Sequence, residues 1–501
     1  MAFETSEAFY AGLSTFSTKV LERAKTNQES FNELYEDAID AFRDSALDGA
    51  GNATKKGMID TIESKEGKGR GAKGLTTLYS DLASQISAVL ATRSAIGQKG
   101  SPSAIYLTGN VWNTAVQQFK IEAFGMKDYN SSDVILQYGN TYYGISLKKK
   151  PYESSSSPPL INSSFGTFLE EQDSLRLLLR KVDDARIKFF AKIIWDACQD
   201  NTPNSPFWVQ ELNEGQGGTI LECRAAQTVK ATKNLKTERF TIQGIRLQPD
   251  GTLSRQDAEK ILNVKVNVWK PKSSKPSVGK FYKEDQWKME TGIPLINIKD
   301  TKNLATISTR FPGEFRMKFR QYVNSKLSAR GGEISELWQE FDRILNDPSP
   351  AESGSGGRSI KRILADSLLT RTLKLHLYSE LKKFDGPNFE FFLVEGVGKA
   401  SKVRGSDTFK ASIGTSVVKP LKSIIATMAD LCSSDCAVEI ERVDASEAAA
   451  KVEYVLSITP AGSRKKVKVL HIDLRYGGDF KSYPRFHATM TPEFMQLAKG
   501  K

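Results

Sequence analysis

Apolar positions change their period several times along this chain. From residue 1 to 47 they return every three or four positions, as Phe9, Leu13, Phe16, Val20 and Leu21, then Phe31, Leu34, Tyr35, Ile39 and Phe42. That spacing predicts helices. Gly49 to Gly57 breaks the pattern, and the Gly/Lys-rich run Lys65–Gly74 predicts a basic loop without the spacing of a phosphate-cradling Walker motif. Helical spacing returns over 75–96 and over 110–124, where Val111, Ala115, Phe119 and Ala123 share a face. The period then drops to two. Ser132–Gln137 and Tyr142–Lys150 read as strands joined by a Gly139-Asn140 turn. Pro151–Pro159 is a Ser/Pro loop, and 165–200 is again helical.

Residues 206–300 are β-rich, with alternation over 264–269 and over 240–247, where Gly244 marks a bulge or bend. Helices are expected at 312–328 and 333–346, a linker at 348–357, and a helix at 358–383. A strand at 388–395, a helix at 416–431 and strands at 437–442, 451–458 and 467–476 complete the chain, and no internal repeat is present. This order predicts an α+β or α/β fold with the sheet in the middle. The expected divisions are a helical region 1–100, an α/β core 101–205, a β-rich basic region 206–347, the linker, and an α+β domain 358–501.

Composition narrows the partners. The 501 residues suit two to four domains, and 26 Phe, 15 Tyr and 6 Trp supply core bulk although hydrophobic residues are only 39%. No apolar run is long enough for a membrane span, so no membrane partner is expected. The opening Met1–Glu7 lacks the basic and apolar regions of a secretory signal. Four scattered cysteines fit reduced thiols in a cytoplasmic setting. Cys432 and Cys436 have a metal-like spacing, but no second pair completes a zinc site. A net charge of +12 favours a polyanion, DNA above all. The histidines are His376, expected to be structural, His471, which lies near an alternative catalytic residue, Asp473, and His487. No HExxH, dinucleotide or GxSxG motif appears.

The hairpin carries the chemistry. Side chains alternate along a strand, so Gly144, Ser146 and Lys148 share one face. Asp133 opens the first strand and Lys148 closes the second. Phosphodiester hydrolysis needs charge neutralised on the phosphoryl oxygens and an activated water. One or two carboxylates hold Mg²⁺, which keeps several waters, and the carbonyl of Leu147 is a further candidate ligand. A nearby lysine orients the water and stabilises developing charge. The same residues also fit a plain hairpin with a capping aspartate and a solvated lysine end, Lys148 to Lys150.

The segment resembles the PD-(D/E)XK, or restriction-endonuclease-like, nuclease superfamily, over roughly residues 105–200. The resemblance implies a central mixed β-sheet flanked by helices, with a motif Asp on one strand and an acidic-x-Lys triplet on the next. Asp133 matches the first acid and Lys148 the lysine. Ser146 stands where the second acid belongs, and Glu122, expected on the preceding helix, is the candidate replacement, with Glu153 the poorer one. Ser146 itself could hold a metal-bound water. Ile145–Pro151 with Leu160-Ile161-Asn162 also resembles uncharacterised tailed-bacteriophage proteins. The implied function is a Mg²⁺- or Mn²⁺-dependent DNA endonuclease of the host cytoplasm. The alternative is a non-catalytic DNA-binding or virion-associated protein with a degenerate nuclease-like fold. Association into a homo-oligomer is a further expectation.

Lysines and aromatics interleave over 264–288, a pattern that suits either a nucleic-acid groove or a half-buried strand with Trp269 in the core. Lys149, Lys150, Lys270, Lys272, Lys280, Lys283, Arg316 and Arg320 are the candidate phosphate contacts. Phe315 and Phe319 form a core-facing pair.

Overall fold

A computed structural model describes all residues except 1–4, 50, 68–70, 110, 171, 200–206, 216–217, 229–234, 272–286, 295, 298–305, 308–312, 329–332, 349–357, 384–387, 433–435, 444–450, 477–482 and 500–501. The chain opens with α1 (Thr5–Leu13), α2 (Thr18–Thr26) and α3 (Gln28–Ser45). The Ser17 and Asn27 side chains cap α2 and α3 by accepting from backbone N–H groups that have no intrahelical partner. A short β1 (Ala46–Leu47) leads to α4 (Ala53–Gly67) and α5 (Gly71–Ile96). Residues 53–57 of the expected break, and 65–67 and 71–74 of the expected basic loop, are helical instead. Met58 and Ile62 bury on one face, and burial of that stripe outweighs the low helix propensity of the flanking glycines.

The antiparallel meander β2 (Ala104–Leu107), β3 (Val134–Tyr138) and β4 (Thr141–Lys150) follows, then β5 (Ile161–Ser164), α6 (Phe165–Glu170) and α7 (Arg176–Gln199). Gly139 turns the expected hairpin with φ +56°. The middle of the chain holds β6 (Phe207–Gly215), β7 (Gly218–Thr228), β8 (Leu235–Ile245), α8 (Arg255–Leu262), β9 (Lys265–Pro271), β10 (Trp287–Pro294), β11 (Ile296–Asn297), β12 (Thr306–Ile307), α9 (Gly313–Ser328) and α10 (Glu333–Leu345). The last part holds α11 (Ile360–Thr372), α12 (Leu375–Leu381), β13 (Asn388–Lys402), β14 (Phe409–Ile413), β15 (Val417–Pro420), α13 (Leu421–Leu431), β16 (Ala437–Val443), β17 (Lys451–Thr459), β18 (Val467–Arg475), β19 (Arg485–Met490) and α14 (Pro492–Lys499).

The protein is a mixed α+β fold. Its principal sheet runs β1-β2-β3-β4-β13-β14, with β15 also on β13. β4 and β13 pair in parallel over ten residues, from Thr141↔Asn388 to Lys150↔Val397. A second sheet runs β16-β17-β18-β19-β5. Both sheets therefore join segments far apart in sequence, and the stretches 101–205 and 358–501 interleave in each. The principal sheet separates two cores. Tyr143, Ile145 and Leu147 of β4 face the helices α1, α3 and α5. Tyr142 faces the other way, with Phe119, Phe391, Leu393 and the residues of α11 and α13.

Three expected helices differ from those observed. Over 110–124 only a 3₁₀ turn, Gln117–Phe119, forms. Asn113 caps a turn through the Ala115 N–H (3.0 Å), and Phe124 and Gly125 adopt left-handed φ of +54° and +72°. The helix expected at 416–431 begins only at Leu421. The β-branched pair Val417-Val418 extends instead along β13, and Pro420 supplies the helix start. The helix expected at 358–383 breaks at Lys374, whose φ is +56°. No helix among the described residues is long and apolar enough to cross a membrane.

Candidate active site

β3 ends its pairing with β4 at Val134↔Ile145. Asp133 stands one residue beyond, opposite Ser146. Its N–H donates to the Ile145 carbonyl (2.7 Å), and its Oδ2 accepts from the Leu147 N–H (2.6 Å). The carboxylate thus takes the place of the missing strand. In an extended strand the N–H and C=O of one residue project from the same edge. The Leu147 carbonyl therefore lies on the edge where the Asp133 carboxylate sits. Gly144, Ser146 and Lys148 alternate onto one face of β4, while the Asp133 carboxylate sits at the strand edge on the Leu147 N–H.

The loop that delivers Asp133 is tied down. Asn130 donates from Nδ2 to the Phe119 carbonyl (3.0 Å), and its Oδ1 accepts from the Ser132 N–H and hydroxyl at 3.1 and 2.7 Å. The buried Tyr129 hydroxyl donates to the Thr370 carbonyl (2.7 Å). Lys374 Nζ donates to the Tyr129 carbonyl (3.1 Å) and lies 4.5 Å from its ring centre. Chain from beyond residue 360 therefore holds the loop in front of the site.

Two charged groups here escape a strand-based reading. Burial pushes the Asp128 carboxyl up to about 6, against the pull of Lys120, the Trp112 indole and Lys374. Burial, with Arg371 and Lys148 adding repulsion, pushes the Lys374 ammonium down to about 8. Such opposed shifts mark functional clusters more often than inert surface. Lys374 and Phe124 are two of the three non-glycine residues with positive φ among the described residues, and strained backbone also gathers at sites. No sequence motif announces Asp128 or Lys374. The Gly125 turn beside them is the visible clue.

The other expected residues scatter. Glu122 lies in exposed coil rather than on a helix. Glu153 is exposed, and its carboxylate accepts from the Thr415 N–H (2.6 Å). Ser146 is 2% exposed. Lys149 points to the opposite face and pairs with the buried Asp81 of α5. Lys150 is buried and pairs with Glu395 of β13 (3.4 Å). Arg320 is exposed on α9. For Lys270 in β9 and Arg316 in α9 only the backbone is described, and Lys272, Lys280 and Lys283 lie outside the described residues. Asp473 stands on β18, 3.3 Å from His487 Nδ1. Cys432 and Cys436 are half-buried free thiols. His376 lies on α12, with its ring 5.8 Å from that of Phe124.

Among the described residues no group of three or more His, Cys, Asp or Glu is arranged to hold a metal ion. What the edge offers is hard oxygen, the Asp133 carboxylate and the Leu147 carbonyl, with Ser146 buried on the adjoining face. That set suits Mg²⁺ or Mn²⁺ with water completing the shell, and not a soft ion. A cleft of about 760 Å³ opens at the Phe124–Gly125 turn, lined also by Thr167, Glu170, Gln172 and Asp173 among others. No protein-family model, curated protein or solved structure matches this chain.

Proposed function

We propose that the β3–β4 edge is the reaction centre of a metal-dependent endonuclease acting on DNA phosphodiesters, of the PD-(D/E)XK kind. The observation that carries this is the Asp133 carboxylate on the Leu147 N–H, one residue from Ser146 and Lys148 on the neighbouring strand. The order of an antiparallel meander followed by a parallel β13 against β4, with helices on both faces, supports the reading. Asp133 and the Leu147 carbonyl would hold the ion, which supplies charge neutralisation and a more acidic water. Lys148 would meet the phosphoryl oxygens and orient the attacking water. The Ser146 hydroxyl would hydrogen-bond a water from the adjoining face, without adding charge.

A second reading, a non-catalytic DNA-binding or virion-associated protein, is favoured by one observation. Ser146 is buried where a second carboxylate belongs. Supercoiled plasmid with Mg²⁺ or Mn²⁺ decides between the two. Nicking by the parent that Asp133→Ala and Lys148→Ala both abolish, with DNA retention unchanged, supports the enzyme. An inert parent that still retards DNA in a salt-sensitive way supports the second reading.

A further inference from the structure

Beyond the Asp133 edge, the same sheet face carries a second charged group. Leu393 of β13 lies opposite Ser146 on one side and Lys419 of β15 on the other, and Glu395 lies opposite Lys148. Lys150, opposite Val397, and Lys419, opposite Leu393, therefore lie diagonally on either side of Glu395. All three are buried, at 7%, 8% and 4% exposure.

Their pairing is incomplete. Glu395 Oε2 lies 3.4 Å from the Lys150 ammonium and accepts from the Ser157 hydroxyl at 3.3 Å, both long. The Lys419 ammonium donates to the thioether of Met495 on α14, and no oxygen accepts from it among the described residues. A thioether is a weak acceptor. Two buried ammoniums thus flank one buried carboxylate; the exposed Glu153 acts on Lys150 from the surface, and Lys499 of α14 adds to the positive potential at Lys419. An excess buried charge is costly unless something compensates it.

We propose that Lys150, Glu395 and Lys419 form a seat for a phosphate group. A phosphate offers the negative charge and the acceptor oxygens that the two ammoniums lack. Ser157, half-buried in the 151–160 loop, bonds Glu395 and can turn its hydroxyl to the same ligand. Burial brings Lys419 down to about 8, so the ammonium form prevails at neutral pH. The site goes beyond the nuclease reading and stands without it.

The test is the melting temperature of the full chain in inorganic phosphate, against chloride at matched ionic strength, with no divalent metal. The parent is expected to show a saturable rise with phosphate, as a ligand bound only by the folded state produces. Lys419→Met is expected to lose it, and Lys419→Arg to keep it. Should Lys419→Met fail to fold, Lys150→Gln decides in its place by the same loss. A parent without a phosphate-specific rise, or a folded Lys419→Met or Lys150→Gln that retains it, overturns the proposal. A short single-stranded DNA then separates the sources. If it weakens the phosphate shift, the ligand is a phosphodiester of a strand; if not, it is a free phosphate. Cleavage is not read here, so an inert enzyme and an empty seat are distinguishable.

Discussion

Ser146 is the residue on which the chemistry of the β3–β4 edge turns. An added carboxylate there would sit buried beside Asp133, and two close carboxylates repel. Ser146→Asp is expected to lower the melting temperature in EDTA and to recover a large part of the loss in Mg²⁺. Equal melting with and without Mg²⁺ would show that no ion is gripped at this edge. Asp128 gives a second expectation. Its folded pKa of about 6 lies above the ordinary 3.8. Its contribution to stability is therefore full below pH 4 and is lost as pH rises through 6. Asp128→Asn escapes that loss. It is expected to gain on the parent by on the order of 1–2 kcal/mol between pH 4 and 7 and to stay level above, as read by urea unfolding. The hairpin that brings the strand ends near Asp133 and Lys148 together was legible from alternation and the Gly-Asn turn. Asp128 and Lys374 were not, because what shifts them is burial by segments some 240 residues apart, which no local period encodes.

Elements with a clean period were legible in the same way. The N-terminal helices, the hairpin and the strands β16, β17 and β18 of the second sheet carry an apolar stripe or alternation of their own, whereas β5 and β19 of that sheet do not announce themselves. The misread segments are those where neighbours decide. Val417–Pro420 extends because β13 offers an edge, and Ala53–Gly67 coils because α5 covers it. The contact of α5 with β13 is itself a close approach. A Cβ at Gly398 would meet the backbone of Ala83 and Ser84, and one at Gly396 the carbonyl of Ser84. Gly398→Ala is expected to cost about 1–3 kcal/mol, measured by thermal unfolding, because a main chain on a rigid helix cannot step aside. The exposed Gly405 turn, with open space around it, provides the contrast in a parallel Gly405→Asn substitution.

At the scale of the whole molecule, the sheets disregard the divisions drawn along the chain. β5 belongs with β16–β19, and β13–β15 complete the sheet begun by β1–β4. A fragment of residues 1–205 is therefore expected to show no cooperative melting, and mixing it with 206–501 to restore a transition. A fragment 1–205 that melts sharply by itself would show that the late strands are accessories. The linear order of helices and strands reached the α+β class. It could not reach this interleaving, since parallel partners announce themselves only in three dimensions.

The register between β4 and β13 spans a gap of about 250 residues. During synthesis the hairpin must wait, its Tyr- and Ile-rich edge unpaired, until most of the polypeptide has left the ribosome. Slow, concentration-sensitive refolding and a need for chaperone shelter are the consequence.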